Sequence, residues 1–256
     1  MEIKKGDYVT RKSYNHDTVF KVINVKDGIC YLKGIEVRLY ADSPISDLMK
    51  NDYKEEEIKC EILEDGDLER SNYFYLPGKV LHIDGDSEYL EKCLKFYKEA
   101  GIYAIGKRIK EDNIYEQIKL LLREYKPDIV IITGHDAYYK KKGNIKDIRN
   151  YKNTENFIKA VKEARRYENS HEKLVIIAGA CQSNYEELIK AGANFASSPK
   201  RVNIHALDPA IIATTVALSE RNKPIDLLKL LSKTKYGEDG MGGLICNGLM
   251  YVGYPR

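Results

Sequence analysis

Two residues able to do covalent chemistry, His135 and Cys181, each follow an apolar run and a small-residue turn. The runs are similar phrases, Ile-Val-Ile-Ile-Thr-Gly-His-Asp at 129–136 and Leu-Val-Ile-Ile-Ala-Gly-Ala-Cys at 174–181. Unbroken Val and Ile runs predict strands buried on both faces of a parallel sheet, and ligands bind beyond the carboxyl ends of such strands. If the strands are neighbours, roughly 5 Å apart, the imidazole and the thiol are close enough to form an activated nucleophile.

Each of these two side chains also has an ordinary interpretation. Cysteine is among the most buried residue types, so Cys181 could simply fill the core. A histidine in a loop is usually solvated, so His135 could be an exposed loop residue. Their equivalent positions after two similar strands favour a catalytic pair over both ordinary interpretations.

A thiolate nucleophile needs a neighbouring base or dipole that lowers the pKa of the thiol. His135 can serve as that base and can later protonate the leaving amine. A helix predicted to begin at Asn184 would add a favourable dipole just after Cys181. These features together predict a thiol hydrolase.

The residues beside the pair are candidates for an oxyanion hole, in which backbone N–H groups bind the developing negative charge. We assign this role to the N–H of Cys181 and to a second N–H from the 134–136 turn, with Gly134 and Ala180 as the small residues beside the reacting groups. Asp136 could orient the imidazole, and a helix cap or a surface position is an equally good interpretation of this side chain.

Three aspartates at predicted element ends could line a pocket for a basic substrate side chain. Asp84 and Asp86 close the first strand of the α/β region, and Asp208 begins a helix. For the first two, the alternative is a polar turn in which one carboxylate caps the next helix. His205 supplies a second imidazole near Asp208, and we rank both below the catalytic pair.

Strands alternate with helices from residue 73 onward, and this order predicts a three-layer α/β sandwich with a mainly parallel sheet over 73–256. Residues 1–45 contain four short β-rich segments separated by Asp and Gly turns, which is typical of a small SH3-like barrel. The range 46–72 is polar and acidic and is interpreted as a linker. The barrel could be an interaction module or an inert appendage.

The composition of the chain excludes several classes of protein. A net charge of +3 is too small to indicate nucleic-acid binding. No apolar run approaches the ~18 residues of a membrane-spanning helix, and the first residues do not resemble a signal peptide, so we expect a cytoplasmic protein that does not enter a membrane. The five cysteines include no Cys-x-x-Cys pair, so we expect no disulfide framework, no metal site and no cofactor.

Several phrases along the chain, including those around His135 and Cys181, are specific enough to carry a family resemblance. They are Gly-Asp-Tyr-Val-Thr-Arg-Lys-Ser-Tyr (6–14), Pro-Gly-Lys-Val-Leu-His-Ile-Asp-Gly-Asp (77–86), Thr-Gly-His-Asp-Ala-Tyr (133–138), Ala-Gly-Ala-Cys-Gln-Ser (178–183), Ala-Gly-Ala-Asn-Phe-Ala-Ser-Ser-Pro (191–199) and Arg-Val-Asn-Ile-His-Ala-Leu-Asp-Pro (201–209). In these phrases the chain resembles the sporulation-specific cysteine peptidases of the YabG family of spore-forming Firmicutes. The resemblance implies a protease that acts in the mother cell on proteins of the spore coat and cortex, with His135 and Cys181 as its dyad, in association with the forming coat. The chain itself is a further candidate substrate.

More distantly, the pattern is similar to the caspase, gingipain and clostripain group. In those enzymes His and Cys also end adjacent parallel strands, and Cys commonly follows Ala. They usually carry His-Gly, whereas here Gly134 precedes His135 and Asp136 follows it. Several members cleave after basic residues, and some use an acidic residue near the end of the first strand. This similarity implies a caspase-like sheet and cleavage after Arg or Lys, with Asp84 and Asp86 binding the basic side chain.

Two other functions are compatible with the same residues. A non-peptidase thiol amidohydrolase would act on a small amide in a closed pocket, rather than on a peptide in an open groove at the strand ends. A non-catalytic spore-coat scaffold, docked through its barrel, would carry an unreactive Cys181 and keep its function after Cys181→Ala.

Overall fold

The computed structural model describes residues 3–54, 72–139 and 143–255, and the chain is mixed α/β over these ranges. It divides into two compact units, Met1–Ile58 and Lys59–Arg256. Among the residues described, none of the helices combines the length and the apolar character that crossing a membrane requires.

The first unit is a five-stranded antiparallel sheet with the strand order β4-β3-β2-β1-β5. The β2–β3 hairpin turns at Asp27 and Gly28, whose positive φ values of 50° and 76° suit a two-residue turn. Its apolar residues meet in one core, which includes Val9, Phe20, Val22, Cys30, Leu32 and Leu48. The strands are β1 Tyr8–Arg11, β2 Phe20–Lys26, β3 Ile29–Gly34, β4 Tyr40–Pro44 and β5 Leu48–Lys50.

The fifth strand lies within the range 46–72, for which the sequence predicts a polar linker. Leu48 of this strand is buried in the core of the sheet and is paired with Arg11. The strand is three residues long and only one of them is buried, so its periodicity is too short to distinguish it from a linker. Residues 55–71 of the predicted linker lie outside the described residues. Closure of this sheet into an SH3-like barrel stays a prediction.

The second unit is built on a six-stranded sheet with the order β12-β11-β10-β9-β7-β8. All neighbouring strands are parallel except β11 and β12, which are antiparallel. The mainly parallel α/β sheet predicted from the sequence is thereby confirmed, while its likeness to caspases stays a prediction. The strands are β7 Val80–Asp84, β8 Ala104–Arg108, β9 Ile129–Thr133, β10 Val175–Ala178, β11 Phe195–Ser197 and β12 Met241–Gly243, and a separate ribbon pairs β6 Phe74–Leu76 with β13 Tyr251–Gly253.

Helices flank this sheet on its two faces. One face packs against α2 and α3 through a core that includes Leu81, Val130 and Phe157. Because side chains alternate along a strand, His82 points to the opposite face, where its ring contacts Tyr97 of α1. The helices are α1 Ser87–Glu99, α2 Ile114–Tyr125, α3 Thr154–Tyr167, α4 Tyr185–Lys190, α5 Asp208–Leu218, α6 Leu227–Ser232 and α7 Gly237–Gly240, with 3-10 turns at Lys12–Tyr14, Ile45–Asp47, Glu111–Asn113 and Ile148–Asn150.

Candidate active site

The two candidate catalytic residues follow neighbouring strands. β9 and β10 run parallel and in register, and His135 and Cys181 each lie three residues beyond the last positions at which these two strands pair with each other. The turns are also joined at their base, where the Thr133 hydroxyl donates to the carbonyl of Gly179 at 2.8 Å. The condition on which the catalytic pair depends, that these two strands are neighbours, is met.

The imidazole of His135 is held by the carboxylate of Asp86. His135 Nε2 lies 3.1 Å from Asp86 Oδ2, and the two side chains are only 14% and 6% exposed. Asp86 Oδ1 meanwhile accepts the N–H groups of Glu88 and Tyr89 as the N-cap of α1. Asp86 is therefore the helix cap that the sequence allows, and the same carboxylate also contacts the imidazole. Its hydrogen bonds to the start of α1 fix its position beside the ring.

The backbone of His135 is held by a second carboxylate. Its N–H donates to Glu111 Oε1 at 2.7 Å, and Asn153 Nδ2 donates to its carbonyl at 2.8 Å. Gly85 and Gly134 leave room for Glu111, since a Cβ on either would lie 2.3 or 2.4 Å from Oε1. The N–H of His135, within the turn expected to supply an oxyanion donor, is thus already bound to Glu111.

The thiol of Cys181 is buried and lies against backbone groups. The N–H of Ile204 donates to Sγ at 3.3 Å, and the thiol donates to the Ile204 carbonyl at a sulfur–oxygen distance of 3.8 Å. The next residue, Gln182, has a left-handed backbone (φ 58°), and its N–H donates to Ser198 Oγ at 3.0 Å. The thiol therefore lies between a backbone donor and a backbone acceptor of the same residue.

Asp136 is the centre of a buried hydrogen-bond cluster. Its Oδ2 accepts the hydroxyls of Thr154 at 2.5 Å and Ser183 at 2.8 Å. Its Oδ1 accepts the N–H groups of Ala137 at 2.9 Å and Asn153 at 2.7 Å. Burial raises the pKa of the Asp136 carboxyl, and these hydrogen bonds oppose the shift.

The hydrogen bonds of Asp136 differ from those expected of a residue that orients the His135 imidazole, the role suggested by the sequence. Within the described ranges its hydrogen bonds go to other partners, and the carboxylate that contacts the His135 ring is Asp86. The N–H of Ala180 donates to Ser183 Oγ at 2.9 Å. Ala180 therefore shapes the turn before the thiol through its own backbone hydrogen bond.

Asp84 is fully buried at the end of β7, next to the Asp86 turn. Its Oδ1 accepts the N–H of Asp86 at 2.9 Å, and its Oδ2 lies 3.6 Å from His82 Nε2. His82 Nδ1 is in turn 2.9 Å from the hydroxyl of Tyr97. A buried chain of polar groups therefore supports the turn whose carboxylate contacts His135.

Asp208, the third aspartate predicted to bind substrate, is fully buried in the first turn of α5. It accepts the N–H groups of His205 at 2.8 Å and Lys235 at 2.9 Å. His205 Nδ1 accepts the N–H of Leu207 at 3.2 Å. These bonds shape the segment that runs from Ile204, beside the thiol, into α5. A role of the three aspartates in binding substrate stays a prediction.

Sequence reasoning misses several residues that hold the two turns. Glu111 is 24 residues away from the histidine whose N–H it accepts. The sequence feature that could indicate this contact is the pair Gly85 and Gly134, because a glycine at a strand end lets another side chain approach the backbone closely. Thr154 begins a helix and Ser183 lies in a turn, and both are common residue types at such places. Nothing in the local sequence indicates that they bind Asp136.

The described residues therefore bring a carboxylate, an imidazole and a thiol to the carboxyl ends of three adjacent strands, β7, β9 and β10. Such a row can remove the thiol proton and hold the resulting imidazolium. In the same part of the chain, no group of three or more His, Cys, Asp or Glu side chains is arranged to hold a metal ion.

Known proteins resemble this chain over its whole length. A family model described as YabG peptidase U57 matches residues 4–64 and 54–255. The sporulation-specific protease YabG of Bacillus subtilis (strain 168) is 40% identical over 286 aligned residues, which cover 100% of this chain and 99% of the relative. The second matched range includes both His135 and Cys181.

Proposed function

The chain belongs to the YabG peptidase U57 family, and we propose that it is a sporulation cysteine endopeptidase that cuts proteins of the spore coat and cortex. The proposed reaction is attack of the Cys181 thiolate on a peptide carbonyl. Support comes from the full-length similarity to a protein named as a sporulation-specific protease.

The observation that carries the cysteine chemistry is the contact of Asp86 with the imidazole beside the turn of Cys181. Because Nε2 of His135 faces the carboxylate, the neutral ring keeps its proton there, and Nδ1 is the nitrogen that takes the proton of the thiol. The negative charge of Asp86 then stabilises the imidazolium. An activated thiol requires such a base, oriented by a third group, within hydrogen-bond reach of the sulfur.

The proposed reaction proceeds through an acyl-enzyme. The thiolate of Cys181 attacks the carbonyl carbon, and the oxyanion is bound by the N–H of Cys181 with a second N–H from the 134–136 turn. His135 protonates the leaving amine, which leaves a thioester. A water molecule then gives a proton to His135 and attacks the thioester. The C–S bond breaks, the acid product leaves, and His135 returns the proton to the Cys181 sulfur.

We further propose cleavage after Arg or Lys. Asp86 contacts the His135 imidazole, Asp84 accepts the N–H of Asp86, and Asp208 accepts the N–H of His205, the residue after Ile204. Their negative charge would favour a basic side chain in a neighbouring pocket. Because Asp84 and Asp208 are fully buried, we expect this preference to arise from their field together with Asp86.

The proposed setting is the mother cell. There the protein would act in the cytoplasm and associate with the forming coat, with coat and cortex proteins as its substrates and its own chain as a further one. We propose a caspase-like arrangement for the second unit and an SH3-like barrel for the first, which could dock the protein on the coat.

The deciding experiment incubates the purified protein with an unstructured protein rich in Arg and Lys and maps the cuts by mass spectrometry. Cys181→Ala and His135→Ala should abolish cleavage, and both should remain folded. Cys246→Ala is the matched control, because burial raises the pKa of the Cys246 thiol to about 11 and keeps it protonated at neutral pH. This control should cut after Arg and Lys as the parent does.

Other outcomes would change the proposal in defined ways. Cleavage by Cys181→Ala at the parental rate would remove this residue as the nucleophile. Cleavage without a basic preference would keep the peptidase and remove the acidic pocket. Failure of the parent to cut would favour the coat scaffold.

One observation favours a second candidate, an amidohydrolase that acts on small amides. The thiol of Cys181 is fully buried beneath the Ile204 backbone, which suits a small closed pocket better than a long peptide groove. Release of ammonia from small amides, lost in Cys181→Ala and without any cleavage of protein, would support this alternative.

A further inference from the structure

The turn that carries His135 and the turn that carries Cys181 are joined by a chain of hydrogen bonds. The Ser183 hydroxyl donates to Asp136 Oδ2 at 2.8 Å, and the N–H of Ala180 donates to Ser183 Oγ at 2.9 Å. Asp136 directly follows the histidine, and Ala180 directly precedes the cysteine. Two hydrogen bonds therefore link the immediate neighbours of the two reacting residues.

The directions of these hydrogen bonds require an acceptor at position 136. Ser183 Oγ already accepts the N–H of Ala180, so its own hydrogen goes to Asp136. Thr154 Oγ1 likewise accepts the N–H of Asn184 at 3.0 Å and donates to the same carboxylate oxygen. An oxygen that receives two hydroxyl hydrogens cannot be replaced by an amide NH2 group, which only donates.

The cluster is buried, and it also reaches the histidine by a second route. Asp136, Thr154 and Ser183 are all closed to solvent, so their hydrogen bonds do not exchange freely with water and hold a defined geometry. Asp136 Oδ1 accepts the N–H of Asn153, whose side-chain Nδ2 donates to the His135 carbonyl. The carbonyl of His135 is thereby linked through Asn153 to the Asp136 carboxylate, while the N–H of His135 is held by Glu111.

We propose that Asp136 and Ser183 are positioning residues that set the separation of the His135 imidazole and the Cys181 thiol. The inference rests on the proposed function, because it concerns the same pair. The sheet alone does not fix this separation, since His135 lies two positions and Cys181 three positions beyond the last paired residues of their strands. A displacement of 1 Å in such a pair can lower the rate by about 10²-fold.

The test compares Ser183→Ala with Ser197→Ala in the full chain. Both variants remove a hydroxyl from a fully buried serine. The Ser197 hydroxyl, however, has no hydrogen-bond partner among the residues that the structure describes. The two variants therefore differ in whether the lost hydroxyl connects the turns.

The measurements are kcat, KM and the pH dependence of kcat/KM on an Arg-containing peptide, with thermal unfolding of each variant. For Ser183→Ala we expect kcat to fall about tenfold or more while KM changes little. The acidic limb of the pH profile should move to higher pH, because the thiolate loses its nearby imidazolium. Ser197→Ala should match the parent in all three. Asp136→Asn carries the same expectation as Ser183→Ala and replaces it if that variant does not fold.

Two results would overturn the positioning role. One is a folded Ser183→Ala or Asp136→Asn variant with parental kcat and pH profile. The other is a loss of activity that only follows the unfolded fraction and leaves the pH profile unchanged. Failure of the proposed function is reported separately by Cys181→Ala in the same series, since cleavage that survives this change would remove the catalytic pair itself.

Discussion

The turns after β9 and β10 are alike in sequence and are held by different kinds of groups. The first is held by carboxylates, with Asp86 on the imidazole of His135 and Glu111 on its backbone N–H. At the second turn, the thiol of Cys181 meets the backbone N–H of Ile204. The imidazole therefore meets a carboxylate from a side chain, while the thiol meets a backbone donor and a backbone acceptor of one residue.

This difference has a consequence for substitutions at the two turns. A carboxylate is lost when its side chain is replaced, whereas a backbone N–H is kept by every residue except proline. Side-chain changes on the histidine side should therefore alter the chemistry strongly. Replacement of the Gln182 side chain, next to the cysteine, should be tolerated provided that the backbone keeps its conformation, whereas Ser183 belongs to the cluster around Asp136 and is an exception.

The largest effect is expected for Asp86→Asn. Asparagine caps a helix as well as aspartate does, so α1 should remain stable, while the negative charge beside His135 is lost. We expect kcat/KM to fall by about 10²-fold or more, in line with loss of the buried carboxylate from a catalytic triad. Steady-state kinetics measure the loss, and circular dichroism reports the fold.

The matched control for this change is Asp226→Asn. Asp226 caps α6 by accepting the N–H of Lys229 at 3.1 Å, so the same substitution is made at another helix start. The control should keep parental activity. Equal losses in the two variants would mean that capping, and not the charge on the imidazole, explains the role of Asp86.

An intermediate effect is expected for Gly134→Ala, because Gly134 lies against the carboxylate of Glu111. Gly134 lacks a positive φ, so its backbone accepts alanine, but the new Cβ would lie 2.4 Å from Glu111 Oε1. The carboxylate must then move away from the N–H of His135, and we expect Gly134→Ala to lower kcat about tenfold, as the loss of one charge-assisted hydrogen bond would. Glu111→Ala should have a similar effect.

A double-mutant cycle of these two changes tests whether they act through the same hydrogen bond. If they do, the variant that carries both should be no slower than the slower single variant, because the bond can be lost only once. Independent effects would multiply instead. If the two losses multiply, Gly134→Ala lowers activity by some route other than the Glu111 carboxylate.

Sequence reasoning reaches the local features of this site and misses those that depend on distant pairing. The apolar runs before His135 and Cys181 specify buried strands by themselves, and their likeness predicts equivalent ends. The partner of the imidazole could not be identified from local sequence. Asp136 is adjacent in sequence, but consecutive side chains in an extended segment point to opposite sides. Asp86 lies 49 residues away and is brought near by the pairing of β7 with β9.

The same limit explains the short strand β5 and the contact at the thiol. Leu48 lies in a polar stretch, and only its pairing with β1 makes it part of a sheet. Ile204 contacts the thiol through its backbone from 23 residues away, and a backbone contact leaves no trace in residue type. Periodicity indicates which residues are buried, but it does not identify the partner of a polar group.

The smallest effect is expected for Gln182→Ala, on the cysteine side. The Gln182 side chain donates to Asn203 Oδ1 at 3.1 Å and accepts the N–H of Tyr138 at 3.2 Å, while its backbone N–H bonds to Ser198 Oγ. If backbone groups hold the thiol of Cys181, loss of the side chain and its two hydrogen bonds should lower kcat by about fivefold at most, the equivalent of about 1 kcal/mol. Gln182→Pro removes the N–H and cannot adopt the observed φ of 58°, so it should abolish activity in any protein that folds. Steady-state kinetics on both variants measure the contrast. An alanine variant as slow as the proline variant would show that side chains hold the nucleophile too, and the difference between the two turns would disappear.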